Sequence, residues 1–325
     1  MEPLLEVKNL CAYFFMGSSI LKAVDGVSFE IQPGQIVGLV GESGCGKTTA
    51  TQCILRLLPS PGRIVEGEVR FGDKDLLTLS PEEMRQIRGR HISVILQDAM
   101  AALNPVIRVG EQVADIRLAH TTDSNRAAWE KAVELMGQTG IPRASERARY
   151  HAHEFSGGMQ QRIVIATALA CNPELIIADE PTTGLDVTIQ LQILSLLLKA
   201  REQMGSAILY ISHDFATVVS ICDRIIIMYA GEVVESAPTK EILTNPMHPY
   251  TEGLINSIPP LGGAPMEFLP AIPGLPPNPV DLPPGCRFAP RCSHVSEECL
   301  VQRPDLIACT PGHYVRCFSY KEEIE

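Results

Sequence analysis

Three short stretches of this 325-residue chain hold side chains whose types and spacing suit the handling of phosphate. The run GLVGESGCGKTT, residues 38–49, matches G-x-x-x-x-G-K-[ST] with Gly41, Gly46, Lys47 and Thr48 at the required positions. Glycines at that spacing, Gly44 among them, let the backbone N–H groups of the loop, Ser43, Cys45 and Thr49 included, converge on a β-phosphate. Lys47 can reach the β- and γ-oxygens, and the Thr48 hydroxyl suits a magnesium ion. The run ELIIADEPTTGLD, residues 174–186, closes an apolar stretch with two carboxylates. Asp179 is placed to hold the magnesium's water shell, and Glu180 to orient or deprotonate an attacking water. In the third stretch, HEFSGGMQQR at 153–162, Ser156, Gly157 and Gly158 lead into a helix-like run. A helix N-terminus of that kind is rich in donors for an anion.

Strand-like apolar runs at 4–10, 24–31, 36–41, 92–97, 175–179, 207–212 and 224–229 must position these residues, together with helix-like runs near 47–58, 156–171, 187–203 and 214–221. That alternation predicts an α/β fold round a mostly parallel sheet. The early runs, with a further one at 67–71, read as an antiparallel β subdomain. From about 98 to 165 the pattern is helical, with RAAWEKAVELMGQTG showing apolar residues at helical spacing and a terminal glycine. After about residue 236 the composition changes. Of 25 prolines, 13 lie between Pro259 and Pro311, too many for a helix or a central strand to keep its amide donors. The predicted organisation is a nucleotide-binding domain over 1–235 and a C-terminal extension over 236–325, an extended wrap that leads to a cysteine-rich knot.

A net charge of −11 and a pI near 5.3 argue against a surface for duplex nucleic acid, which needs clustered cations. The start MEPLLEVKNL lacks the regions of a signal peptide, and runs such as RIIIMYAG are too short to cross a bilayer. The expectation is a protein that stays in the cytosol and meets a membrane only through a partner. Ten cysteines in a reducing compartment are not read as disulfides.

The order GESGCGKT, then Gln97 at the end of a strand, then FSGGMQQR, LIIADEPTTGLD and YISHD resembles the ATP-binding subunit of ABC transporters over about residues 1–235. The resemblance implies MgATP hydrolysis by two subunits facing head to tail, each ATP lying between one subunit's phosphate loop and the other's Ser156, Gly157 and Gly158. It implies that Gln97 meets magnesium or the attacking water, and that His213 holds the γ-phosphate and helps position Glu180. It also puts Asp186 at the dimer seam, and an aromatic, Phe14 or alternatively Tyr13, on the adenine. Phe155 and Met159 depart from the commonest form of the signature, while its serine and both glycines are kept.

NPMHPYTEGLINSIP, PGCRFAPRC and LNPVIRVGEQV resemble the oligopeptide and dipeptide importer branch, which extends the likeness along nearly the whole chain. The implied role is a peripheral subunit at the cytoplasmic face of the membrane, energising uptake of di- or oligopeptides, with nickel chelates or sugars as the alternative. Its implied partners are a second ATPase, often a related but distinct chain, two membrane permeases and, indirectly, an external solute-binding protein. A non-transport ABC ATPase is the rival reading. Cys286, Cys292, Cys299 and Cys317 have spacings that fit no compact zinc or ferredoxin pattern. Some members of the branch carry a four-iron four-sulfur cluster on such a set, so the cluster is the first reading, with zinc and free thiols as the alternatives. Cys309 leaves the fourth ligand open.

Overall fold

The computed structural model describes residues 2–258 and 271–320. Its described residues fold into two compact bodies, one of residues 2–4, 31–36 and 78–211, the other of residues 5–30, 37–77, 212–258 and 271–320.

The second body begins with an antiparallel sheet of β1 (Leu5–Met16), β2 (Ser19–Ile31), β4 (Gly62–Phe71) and β5 (Lys74–Asp75), in the order β2-β1-β4-β5. The expected subdomain is there, and its strands run longer than their apolar cores. β3 (Ile36–Val40) is buried at every position and delivers the phosphate loop to the helix Lys47–Ile54.

In the first body β6 (Ile92–Ile95), β7 (Leu175–Asp179) and β8 (Ala207–Ser212) run parallel, with Ile92 opposite Leu175 and Leu175 opposite Ala207. β7 and β8 are buried throughout, which is why they read as unbroken apolar runs. The helical stretch resolves into Ala99–Ala102, Val109–His120, Asn125–Gln138, Ala144–Arg147 and Gly157–Ala168. In Asn125–Gln138 the buried residues Ala128, Ala132, Leu135 and Met136 keep helical spacing, and the Ser124 side chain caps the start by accepting from the Ala127 N–H.

The second body resumes with β9 (Arg224–Tyr229), parallel to β3, and then β10 (Glu232–Pro238), β11 (Ile307–Thr310) and β12 (His313–Val315). β10 runs antiparallel to both β9 and β12, and β11 antiparallel to β12. This corrects the expectation of a mostly parallel sheet: the strand pairing is mixed, because the C-terminal region supplies strands of its own. From Pro273 to Pro311 every proline but Pro290, which sits in the short 3-10 turn Ala289–Arg291, falls between the elements, and residues 271–284 form neither helix nor strand. Pro259 to Pro270 lie outside the described residues.

A buried ionic cluster holds the C-terminal residues to the early strands of this body. Arg287 and Arg303 each contact the carboxylates of Asp25 and Glu232, two residues at most 5% exposed. A second knot centres on Glu235, which accepts from the Met247 and His248 N–H groups at 2.7 and 2.9 Å and contacts His313.

Candidate active site

The phosphate loop closes because its glycines stand where a side chain cannot. A Cβ at Gly41 would collide with the Met228 carbonyl oxygen, and one at Gly46, whose φ is +105°, with the Ala23 carbonyl oxygen. Gly44 is left-handed and open, at φ +78°. Lys47 turns back over the loop, its Nζ donating to the carbonyls of Gly41 at 2.8 Å and Glu42 at 3.1 Å. Cys45 is buried, which raises its thiol pKa, and its carbonyl accepts from the Gly231 N–H. Ser43, Gly44 and Thr48 are exposed, and Thr49 is half-buried.

Of the two aromatic candidates, Tyr13 is committed: its hydroxyl donates to Asp25 Oδ1 at 2.6 Å. The Phe14 ring lies against Gly62, its strand-pair partner on β4. His213 follows β8 and is exposed, ahead of Asp214, which caps the helix Phe215–Ile221 through the Ala216 and Thr217 N–H groups.

The first body holds the carboxylates. Asp179 ends β7 and is 6% exposed. Glu180 takes a left-handed backbone with φ +47°, a conformation costing about 1–3 kcal/mol for such a residue. Its Oε2 accepts from Gln97 Nε2 at 3.1 Å and from Thr183 Oγ1 at 3.0 Å. Two residues predicted from separate motifs therefore meet. Asp186 is exposed and caps the helix Val187–Met204 through the Ile189 N–H at 3.0 Å.

Ser156 stands at the N-cap of Gly157–Ala168, yet its hydroxyl makes no capping bond. The serine's side chain thus has no structural duty at the helix start. A Cβ at Gly158 would press on Ile189 at 3.0 Å, whereas nothing lies within 4 Å of one at Gly157. Sequence reasoning passed over Gln160 and Gln161, both buried. Gln160 braces the approach to the serine through the Ala152 and Phe155 carbonyls, and Gln161 Nε2 donates to the Leu96 carbonyl beside Gln97. Paired glutamines ahead of the apolar run from Ile163 to Ala166 were the available signal.

Cys286, Cys292, Cys299 and Cys317 line one cavity of about 290 Å³, and Cys309 does not. Burial first, then the neighbouring Cys299 and Cys317, push the Cys286 thiol up to about 11, against the pull of N–H donors from Phe288 and Ala289. None of the ten cysteines is joined in a disulfide, and among the described residues no three metal-binding side chains stand in ligating arrangement. The donor chemistry fits a thiolate-bound group, and the four cysteines share one cavity without gathering into a ligand set. Also among the described residues, no helix is long and apolar enough to span a membrane.

A family profile described as ABC transporter matches residues 24–183, and one described as the C-terminal region of oligopeptide/dipeptide transporters matches residues 234–299. The chain is 45% identical over 324 residues to the oligopeptide transport ATP-binding protein AppD of Bacillus subtilis, covering 99% of this chain and 98% of that one. The chain belongs to the ABC transporter ATP-binding proteins of the oligopeptide/dipeptide branch. This ABC ATPase is also 42% identical to OppD of Escherichia coli, another oligopeptide transport ATP-binding protein, over 99% of its own length and 95% of the other. Among solved structures it resembles the dimeric ATP-binding cassette MJ0796 in a post-hydrolysis state bound to ADP and Pi. The TM-score is 0.66 at 30% identity, over 72% of this chain and 98% of that one.

Proposed function

We propose that this ABC ATPase energises an importer of oligopeptides or dipeptides by binding and hydrolysing MgATP. The observation that carries the reading is the likeness to AppD and OppD along essentially the whole chain, C-terminal region included. The two family matches, 24–183 and 234–299, support a functional division near residue 235 into an ATPase domain and an extension.

In this reading residues 41–49 cradle the phosphates, Lys47 moves from its carbonyl partners to the β- and γ-oxygens, and Phe14 stacks on adenine because Tyr13 is spent on Asp25. Thr48, Gln97 and Asp179 would hold magnesium, which supplies neutralisation of the phosphate charge. Glu180 takes the proton as the water oxygen bonds to the γ-phosphorus and the bond to the β,γ-bridging oxygen breaks, releasing ADP and phosphate. His213 steadies the γ-phosphate. Ser156, Gly157 and Gly158 cap the ATP of a second ATPase subunit, with Asp186 at the seam, and closure of that pair drives two permease subunits at the cytoplasmic face of the membrane.

Cys286, Cys292, Cys299 and Cys317 would hold a four-iron four-sulfur cluster or, as the alternative, zinc. The shared cavity and the N–H donors on Cys286 support a thiolate-bound group there. Such a group would tie down a proline-rich segment too poor in amide donors to build a core. Iron and sulfide in near-equal amounts after anaerobic purification are the expected result; a folded, iron-free protein with bound zinc selects the alternative, and one with neither metal ends both.

The transport reading is tested by uptake of labelled peptides into cells lacking this gene. Wild type restores uptake and Lys47→Ala does not. Undiminished peptide uptake in the deletion strain would point to another solute.

A further inference from the structure

The second residue of the phosphate loop is gripped from the C-terminal extension. The Glu42 N–H donates to the Tyr250 hydroxyl at 3.0 Å, and its carboxylate receives both Arg291 guanidinium nitrogens, at 2.8 and 2.9 Å. Its carbonyl is one of the two on which Lys47 rests. Neither outside partner is free to wander. The Arg291 side chain is 4% exposed, with Nε on the Pro273 carbonyl at 2.9 Å and the ring of Tyr229 facing its guanidinium. Tyr250 is fully buried in the helix Pro249–Asn256 and packs on Tyr229 and Phe288.

A bidentate arginine fixes both the distance and the plane of a carboxylate, so Glu42 sits where the extension puts it. Because the loop's own glycines leave its backbone permissive, an external anchor at its start decides how far its N–H groups are preorganised for phosphate. We infer that Arg291 and Tyr250 are positioning residues for nucleotide binding: by holding Glu42, the C-terminal extension sets the geometry of the phosphate loop and the affinity for ATP. The inference rests on residues 41–48 being the ATP loop.

The test is equilibrium dialysis of labelled ATP against the full chain, together with the thermal midpoint of the nucleotide-free protein. Arg291→Gln should weaken ATP binding about tenfold and Tyr250→Phe by several-fold, with Arg291→Lys in between, since lysine keeps the charge and loses the fork. The double variant Glu42→Gln/Arg291→Gln should bind no worse than Arg291→Gln alone. A role confined to anchoring the extension would lower the thermal midpoint and leave the dissociation constant of the folded protein unmoved, overturning the inference. If Arg291→Gln does not fold, Tyr250→Phe and Arg291→Lys decide: wild-type affinity in both overturns it. Lys47→Ala separates the premise, since undiminished ATP binding there would sink the loop assignment instead.

Discussion

Glu180 stands in a backbone region that residues with a Cβ avoid, and it is held there by its neighbours. Its N–H reaches the Ile211 carbonyl at 3.0 Å, while Gln97 and Thr183 fix its carboxylate. Strain held in this way fixes where one oxygen points, the feature a base acting on water needs. Glutamine at this position keeps an oxygen for Gln97 and loses only the proton acceptor. Glu180→Gln should therefore bind ATP with wild-type affinity and hydrolyse it at least about a hundredfold more slowly in a single-turnover assay. Turnover near wild type would remove Glu180 from the chemistry. The carboxylate was legible from its place at the end of an apolar strand. Its left-handed backbone was not, since nothing in DEPTTG forces the turn to fall on the glutamate itself.

At the scale of elements, legibility followed the source of each element's stability. β7, β8 and β9 draw theirs from apolar side chains inside their own sequence, so their boundaries could be read to within a residue or so. β10, EVVESAP, was missed because it buries two glutamates whose partners arrive far along the chain. Glu232 finds Arg287 and Arg303, and Glu235 finds His313. No local pattern marks a charged strand as a central one.

The same cluster holds Asp25 below the usual carboxylate range. Burial pulls the other way but is outweighed by the Tyr13 hydroxyl and by Arg287 and Arg303. A depressed carboxyl stabilises the fold above its unfolded pKa and loses that contribution as pH falls through the folded value. Asp25→Asn should cost about 3 kcal/mol in urea unfolding, by leaving buried cations short of a partner. The gap to wild type should hold steady from about pH 8 to pH 5, begin to shrink only below about pH 4, where the unfolded carboxyl takes up its proton, and close once the folded Asp25 is protonated as well. A gap that closed between pH 7 and 5 would mean another group governs it.

For the molecule as a whole, the sequence read the C-terminal region as a wrap with a cysteine knot, while the structure also gives it strands, a charge cluster and a hold on the phosphate loop. The charge cluster and the hold on the loop were invisible because each depends on a residue more than 70 positions away.

One small vacancy carries a larger meaning. Gly157 has no left-handed backbone to excuse it and, among the described residues, no neighbour that a methyl group would touch. Among the described residues nothing asks for glycine there, which fits the proposed role of Gly157 in capping the ATP of a second subunit. Gly157→Ala should pass unnoticed in the lone protein, with thermal midpoint and ATP affinity at wild-type values. In light scattering on a Glu180→Gln background it should abolish the ATP-driven rise in mass, and a rise of normal size would disprove the idea. A flaw of that kind stays silent in one copy and speaks only when two try to shut on the same fuel.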